Sequence, residues 1–250
     1  MGVDPSHAGR VAVVTGASRG IGQAICRRLA ERGATVVGVD ILEMSETASV
    51  VQASAGRWIG IEADLATSEC GELVASELER ADVRCDILVN NAGINDAGGW
   101  DDLDIETWQR VLGVNLEAPF RLCKSLVPHM RARGWGRIVN VASGSVLRAM
   151  PSSIAYRASK MGLIGLTRAL AAELGSQGIT VNAMSPGVTI TDMATQTHTI
   201  EFLEAAAQTR PIPRAGVPDD VVGVVLFLTS EDAAWVTGQT ILANGGSAFV

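Results

Sequence analysis

Apolar runs and segments of helical periodicity alternate along the whole chain. The apolar runs are short enough for buried strands, and the segments between them carry apolar residues at intervals of three and four, as amphipathic helices do. Strands are predicted near residues 10–14, 34–40, 57–62, 85–90, 135–142, 178–184 and 239–242. Helices are predicted over residues 20–32, 43–54, 68–80, 101–133, 153–175 and 218–229. This order indicates an α/β fold in which helices cover both faces of a parallel sheet.

Right-handed crossovers between these strands give a doubly wound, seven-stranded sheet in a single domain spanning residues 1–250. Sheets of this kind bind ligands outside the C-terminal ends of their strands, where the winding reverses. Asn91, Ser143 and Pro186 each follow a predicted strand. We therefore expect their motifs to converge on one edge of the sheet.

Composition narrows the classes of function. Hydrophobic residues make up 47% of the chain and charged residues 19%, which fits an aliphatic, layered core. The formal net charge of −7 argues against nucleic acid or an anionic membrane as the main partner. The sequence shows neither a membrane span nor a secretory signal, and a flexible tail is expected over residues 1–8.

The cysteines and histidines point to no metal site. No C-x-x-C spacing links the four cysteines, which predicts free thiols in a reducing cytoplasm; they are Cys26, Cys70, Cys85 and Cys123. The histidines are too scattered to form a metal site; they are His7, His129 and His198. A cytoplasmic protein without a metal is therefore expected.

A glycine-rich turn follows the first strand in Thr15-Gly-Ala-Ser-Arg-Gly-Ile-Gly22 and leads into a helical segment. Gly16 and Gly20 allow a tight turn and close approach of the backbone to a phosphate, and Gly22 permits close helix packing. The free N–H groups at the helix N-terminus can bind a pyrophosphate. The spacing is G-x-x-x-G-x-G rather than the common G-x-G-x-x-G, but strand before and helix after is the context expected for dinucleotide binding.

The second predicted strand ends at Asp40, about twenty residues past the glycines. A carboxylate there can accept hydrogen bonds from an adenosine ribose diol and repel a 2′-phosphate, which favours NAD over NADP. The alternative is that Asp40 caps the next helix. Arg19, inside the turn, favours NADP instead, because its side chain could reach a phosphate. We give more weight to Asp40, since the arginine can simply point to water.

Tyr156 and Lys160 are four residues apart in a predicted helix, and Ser143 lies upstream of them. Four residues is about one helical turn, so both side chains project from the same face. We expect the ammonium to favour the phenolate and to lower the pKa of Tyr156 toward neutrality. Tyr156 would then act as general acid and base, while the Ser143 hydroxyl stabilises a substrate oxygen. The alternative is a buried tyrosine beside a solvated lysine.

Together these motifs resemble the short-chain dehydrogenase/reductase family, in its form of roughly 250 residues. The resemblance runs from about residue 9 to residue 246 and implies a Rossmann-type fold and a hydride-transfer activity. It covers further segments with expected cofactor contacts: Asp64-Leu65, Asn90-Asn-Ala-Gly93, and Pro186-Gly187 with Thr191. The chain departs from the family pattern at Asn244, where aspartate is usual, and at Thr189, where an aliphatic residue is common. These departures concern assembly and pocket detail.

The motifs and the resemblance together predict the site residues. The expected catalytic residues are Ser143, Tyr156, Lys160 and Asn115. The expected cofactor contacts are Gly16, Ser18, Arg19, Gly20, Ile21, Gly22, Asp40, Ile41, Asp64, Leu65, Asn91, Ala92, Gly93, Tyr156, Lys160, Pro186, Gly187, Thr189 and Thr191. By resemblance, Lys160 bonds the nicotinamide ribose, and Asn115, beside a helix irregularity near residues 114–119, holds a water that leads protons to solvent. Without the resemblance, Asn115 is better interpreted as a capping residue.

The substrate is less well defined than the cofactor. Residues 191–210 are expected to form a mobile lid over the site. The expected substrate-binding residues are Ser143, Ser145, Met150, Tyr156 and Met193. Their character suggests a small or medium, partly apolar secondary alcohol or ketone, although the residues between Ser143 and Tyr156 could equally be packing residues under the lid.

Three functions remain open. The leading hypothesis is an NAD-dependent secondary-alcohol dehydrogenase. The second is an NADPH-dependent 3-oxoacyl-carrier-protein reductase, which much of the chain also resembles and for which Arg131, Arg133 and Arg168 could bind an acidic carrier. The third is a non-enzymatic dinucleotide sensor, against which the intact Ser143, Tyr156 and Lys160 argue. A homotetramer is expected, with contacts from helices 101–133 and 153–175 and from Val236 to Val250.

Overall fold

Seven strands form one sheet in the structure, a computed structural model that describes residues 5–54, 56–96, 98–148, 151–196 and 199–249. The strands are β1 (Val11–Thr15), β2 (Thr35–Asp40), β3 (Trp58–Glu62), β4 (Ile87–Asn90), β5 (Gly136–Val141), β6 (Ile179–Pro186) and β7 (Thr240–Ala243). The helices are α1 (Gly20–Ala30), α2 (Ser45–Ala53), α3 (Cys70–Arg80), α4 (Ile105–Leu112), α5 (Ala118–Arg133), α6 (Ile154–Leu174), α7 (Asp192–Thr195), α8 (Ile200–Ala207) and α9 (Pro218–Leu228).

The sheet is doubly wound, as predicted. The strand order is β3-β2-β1-β4-β5-β6-β7, and every neighbouring pair is parallel. The chain first moves outward through β2 and β3 and then returns to β4, so the winding reverses between β1 and β4. Thr15 and Asn90 end these two strands, and the crevice between them is where such sheets bind ligands.

Both faces of the sheet are apolar, because side chains alternate between them along each strand. Val13 and Leu88 point to one face and pack with helices α3 and α5, whereas Val14 and Val89 point to the other and pack with α1 and α9. This explains why the strands are nearly continuous apolar runs. No helix within the described ranges is long and apolar enough to cross a membrane.

The segment 101–133, predicted as one helix, is interrupted. Helix α4 begins at Ile105, because the Asp104 carboxylate accepts the N–H of Thr107 at 2.7 Å and caps the helix. A π-helical turn, Gly113–Glu117, then separates α4 from α5. Pro119 has no N–H to donate to the carbonyl of Asn115, so the α-helical pattern cannot continue there. The predicted irregularity is confirmed, and the helical segment begins at Ile105 rather than at residue 101.

One residue of the N-terminal segment expected as a flexible tail is packed into the fold. His7, which lies in the segment predicted as a flexible tail, is fully buried. Its Nε2 lies 2.9 Å from the Thr229 hydroxyl, and its backbone N–H donates to the Arg32 carbonyl at 3.1 Å. His7 is therefore held by a tertiary contact more than two hundred residues away in sequence, whereas Pro5, Ser6 and Ala8 of the expected tail are exposed. Residues 1–4 lie outside the described residues.

Candidate active site

The glycine turn after β1 has no room for side chains at two of its glycines. Gly16 has a φ of +65°, and a Cβ there would lie 2.9 Å from the Ala92 Cα. A Cβ on Gly22 would lie 1.9 Å from the Gly16 carbonyl oxygen, so only glycine fits. Within the described part of the chain, the side chain of Arg19 does not cap α1. The N-terminal N–H groups of α1 and the close backbone of this turn therefore fit a pyrophosphate.

Thr15 and Asn91 hold this turn against the end of β4. The Thr15 hydroxyl accepts the N–H groups of Asn91 and Ala92, each at 3.0 Å. The Asn91 amide donates to the carbonyl of Thr15 at 2.9 Å and to that of Gly16 at 3.2 Å. Asn91 was predicted as a cofactor contact, and its side chain in fact braces the turn. Sequence reasoning missed Thr15, although its position at the end of β1 was a usable signal.

Asp40 is fixed at the C-terminal end of β2. Its two carboxylate oxygens accept the N–H groups of Ser18 at 2.9 Å and Leu42 at 3.0 Å, and the residue is only 9% exposed. Neither donor belongs to α2, so the alternative that Asp40 caps that helix is wrong. Ile41, the next residue, is 57% exposed beside it. The arrangement places a preoriented carboxylate next to the glycine turn, where it can still accept hydroxyl donors.

The start of the predicted lid contacts the glycine turn. Arg19 and Asp192, the first residue of α7, form an ion pair with Nη1 and Oδ2 2.9 Å apart. Thr191 caps α7 and lies beside Gly20, since a Cβ on that glycine would meet the Thr191 Cγ2 at 3.5 Å. Arg19 therefore points to a carboxylate rather than to water. Asp192 was missed by the sequence reasoning.

Ser143, Tyr156 and Lys160 meet at the C-terminal end of β5. Ser143 is 8% exposed and begins a 3-10 turn, Gly144–Leu147, in which its Oγ accepts the N–H of Ser145 at 3.2 Å. Its hydroxyl also lies 2.9 Å from the Ser145 hydroxyl, and it is close enough to the Tyr156 phenol to lower the pKa of that group. The Lys160 Nζ lies 5.8 Å from the centroid of the Tyr156 ring. It donates to the Val141 carbonyl at 2.7 Å, which holds the buried ammonium next to the tyrosine.

Burial sets the ionisation of this group. It raises the pKa of the Tyr156 phenol above its usual value, and the nearby Ser143 hydroxyl opposes that rise. Burial also lowers the pKa of Lys160 to about 8. The prediction that Lys160 lowers the pKa of Tyr156 toward neutrality is wrong for the chain by itself. The ammonium is directed to the Val141 carbonyl, and loss of solvent around the phenol is the largest influence on the pKa of Tyr156.

Asn115 lies in the π-helical turn and is fully buried. Its side-chain oxygen accepts the N–H of Ile94 at 2.9 Å, and its amide donates to the Ile94 carbonyl at 2.9 Å and to the Ser159 hydroxyl at 3.0 Å. The side chain thus joins the loop after β4 to α6, and the capping interpretation is wrong. Its backbone carbonyl, which Pro119 cannot satisfy, is the group suited to hold a water, and that role stays a prediction.

The other predicted site residues lie at the same edge of the sheet but make different contacts. Asp64 is exposed and accepts the N–H of Ala66 at 2.8 Å, whereas Leu65 is buried. Gly187, after β6, packs so tightly on Asn244 that a Cβ would lie 2.7 Å from the Asn244 Cα. The remaining predicted residues that the structure describes are Ile21, Gly93, Pro186, Thr189 and Met193. Met150, predicted to bind substrate, lies outside the described residues.

Comparisons with known proteins agree with this geometry. A family model described as enoyl-(acyl carrier protein) reductase matches residues 16–248. A 3-oxoacyl-[acyl-carrier-protein] reductase of Pseudomonas aeruginosa is 40% identical over 95% of this chain and 97% of its own length.

Solved structures resemble the chain over almost its whole length. A protein from Beutenbergia cavernae, described as an NAD(P)-dependent gluconate 5-dehydrogenase and solved with bound NADP, has a TM-score of 0.91 and 39% identity, covering 97% of this chain and 98% of that one. Carveol dehydrogenase from Mycobacterium avium, in complex with NAD, has a TM-score of 0.88 and 32% identity, covering 96% and 98%. This chain therefore belongs to the short-chain dehydrogenase/reductase family of oxidoreductases, which act on CH–OH groups.

Proposed function

We propose that the protein is an NAD-dependent oxidoreductase that interconverts a small or medium secondary alcohol and the corresponding ketone. The observation that carries this proposal is the meeting of Ser143, Tyr156 and Lys160 beside the glycine turn. The Ser143 hydroxyl is close enough to the Tyr156 phenol to lower its pKa, and the Lys160 ammonium lies 5.8 Å from the centroid of the Tyr156 ring. These groups supply a proton donor, an oxygen-binding hydroxyl and a cation at one place.

The proposed chemistry needs few groups. A bound dinucleotide would supply the acceptor of hydride from the alcohol carbon, or the donor of hydride to the ketone carbon. In oxidation the Tyr156 phenolate takes the hydroxyl proton, and in reduction the phenol gives a proton to the forming alkoxide. The Ser143 hydroxyl bonds the same substrate oxygen and stabilises its developing charge. Lys160 keeps a positive charge near that oxygen, and by family resemblance its ammonium also bonds the nicotinamide ribose.

The preference for NAD rests on Asp40. Its carboxylate is held by two backbone N–H groups and is largely buried, so a 2′-phosphate would meet a fixed negative charge. Arg19, which could pair with that phosphate, is engaged by Asp192. Both features favour a ribose diol over a ribose phosphate.

A second candidate is an NADPH-dependent 3-oxoacyl-carrier-protein reductase. It is favoured by the 40% identity to the Pseudomonas aeruginosa enzyme of that name. The arginines proposed to meet an acidic carrier are partly used inside the chain. Arg133 lies 3.3 Å from the buried Asp86 carboxylate, and Arg131 donates to the Gln177 side chain at 2.5 Å. This weakens the carrier-binding patch without removing it, because Arg168 is exposed on α6.

We further propose a cytoplasmic homotetramer. All four cysteines are buried free thiols, which suits a reducing compartment. Large apolar side chains are exposed on the elements expected to make subunit contacts, namely Phe120 on α5, Met161 on α6 and Phe249 near the C-terminus, with Trp235 just before that last stretch. Two distinct contact surfaces are what a tetramer with twofold symmetry requires.

A substrate panel tests the proposal. Secondary alcohols and ketones of graded size and polarity, together with a 3-oxoacyl thioester, are assayed with NAD(H) and NADP(H) by nicotinamide absorbance. Turnover of a free alcohol or ketone with NAD(H) is expected. Faster turnover of the thioester with NADPH would favour the second candidate. If no compound reacts while NADH still binds, the enzyme assignment fails and a non-enzymatic dinucleotide sensor becomes the better hypothesis.

A further inference from the structure

A buried carboxylate outside the predicted site contacts the backbone of the proposed acid–base residue. Asp96, in the loop after β4, is 5% exposed. Its Oδ1 accepts the N–H of Tyr156 at 2.8 Å, and its Oδ2 accepts the N–H of Ala155 at 3.1 Å. A residue about sixty positions upstream thus holds the first turn of α6.

This carboxylate replaces the helix's own cap. Ser153 occupies the N-cap position of α6, but within the described residues its side chain makes no cap bond. A normal N-cap side chain would accept the N–H groups of the second and third helical residues, which here are Ala155 and Tyr156. Asp96 accepts both of them, and its negative charge lies at the positive end of the helix.

The entry to α6 has an unfavourable backbone. Ser152 and Ser153 have φ values of +67° and +55°, a left-handed conformation that is unusual for serine. The Ser153 N–H donates to the Gly98 carbonyl at 3.3 Å, which adds a second link between this entry and the loop after β4. Asp96 holds the residues that follow this entry, Ala155 and Tyr156, and without that hold the left-handed backbone of the entry would relax toward ordinary angles. The start of α6, and Tyr156 with it, would then shift.

We propose that Asp96 is a positioning residue that fixes the Tyr156 hydroxyl against Ser143 and the substrate oxygen. The inference rests on the proposed function, since it assigns the proton transfer to Tyr156. Asp96 touches neither substrate nor cofactor in this role. It acts through the backbone of the first helical turn, where displacement of a reacting group by about 1 Å can cost a hundredfold in rate.

The kinetic test compares Asp96→Ala, Asp96→Asn and the control Asp104→Ala, using the fastest substrate of the panel. Asp104 caps α4 in the same way, through the Thr107 N–H at 2.7 Å, but it is exposed and distant in sequence from Tyr156. We expect Asp96→Ala to lower kcat by about tenfold to a hundredfold, with little change in the KM for NAD or in NADH binding. Asp96→Asn keeps one acceptor and should recover part of that loss. Asp104→Ala should keep the wild-type kcat.

A second measurement needs no substrate. Tyr156 is the only tyrosine of the chain, so ring-labelled tyrosine gives a single nuclear magnetic resonance signal that reports its position. We expect Asp96→Ala to shift or split this signal, and Asp104→Ala to leave it unchanged. If Asp96→Ala does not fold, Asp96→Asn decides by the same two measurements.

Two results distinguish a failure of the Asp96 positioning role from a failure of the proposed function. A wild-type signal together with a kcat within about twofold of wild type in the folded Asp96 variant would overturn the positioning role. Tyr156→Phe is measured alongside. If that variant keeps its turnover, the proposed function fails; if it loses turnover while the Asp96 variants keep theirs, only the role of Asp96 fails.

Discussion

Arg19 and Asp192 form an ion pair between the glycine turn and the first helix of the predicted lid, with Nη1 and Oδ2 2.9 Å apart. The two residues are 173 positions apart in sequence. The pair joins the loop proposed to bind the pyrophosphate to the segment proposed to close over the substrate. The pair also occupies Arg19, the one arginine of the turn, which could otherwise bind a 2′-phosphate.

Asp192→Asn should therefore increase the use of NADP. With its partner neutralised, Arg19 becomes available to a 2′-phosphate. Both side chains are about half exposed, so we expect a modest rise of about twofold to fivefold in kcat/KM for NADP. The matched control is Asp219→Asn, because Asp219 forms an ion pair of similar length with Arg27, 2.5 Å apart, outside the glycine turn. Equal changes in both variants would contradict the idea.

Asp40→Ala should narrow the preference for NAD, mainly by admitting NADP. We expect the wild type to favour NAD by about 1–3 kcal/mol, since a 2′-phosphate would lie against a largely buried carboxylate. Adding Ile41→Arg should narrow the gap further by pairing with the phosphate. Steady-state kcat/KM values for both dinucleotides test this. A wild type that prefers NADPH would contradict the argument and favour the carrier-protein reductase.

Tyr156→Phe should abolish turnover and leave dinucleotide binding nearly intact. The substitution removes only the hydroxyl that exchanges a proton with the substrate. Lys160→Ala should impair both, because the ammonium is proposed to serve the reaction and the nicotinamide ribose. Turnover is followed by absorbance and binding by NADH fluorescence. More than a small fraction of the wild-type rate in Tyr156→Phe would show that another group transfers the proton.

The raised pKa of Tyr156 predicts how the phenol titrates and how the rates of oxidation and reduction change with pH. Because burial favours the neutral phenol, the cofactor-free protein should show a tyrosinate midpoint above about 10. Absorbance reports this residue alone, since the chain has one tyrosine. Ser143→Ala removes the hydroxyl that lowers the pKa of Tyr156 and should move the midpoint higher. Alcohol oxidation, which needs the phenolate, should accelerate with rising pH, and ketone reduction should slow. A midpoint below 10 in wild type would refute this account.

The assembly prediction concerns mass in solution. Light scattering should give about four times the 26.1 kDa of one chain. Phe120→Asp introduces a charge into the apolar surface on α5 and should lower the mass toward that of a dimer. Leu73→Asp serves as the control, because Leu73 is an exposed apolar residue on α3, outside the expected contacts. A wild-type mass near that of one chain would exclude the tetramer.

The sequence by itself was sufficient for features that depend on local spacing. The period of the apolar positions predicted the strands and the doubly wound sheet, because burial on both faces leaves continuous apolar runs. The glycine turn was recognisable because its glycines lie close together in sequence. The Tyr156–Lys160 pair was recognisable because residues four apart lie on the same face of a helix. The irregularity at Asn115 was also predictable, since Pro119 lacks the N–H that a regular helix needs.

Only the tertiary structure decided the contacts that join distant segments. The carboxylate of Asp96 caps α6 from another loop, Asp192 holds Arg19, and His7 is buried beside Thr229. No spacing rule predicts such pairs, because they depend on which loops the fold brings together. The ionisation of Tyr156 was misjudged for the same reason. Spacing placed a lysine beside it, whereas the loss of solvent around both groups follows only from the packed fold.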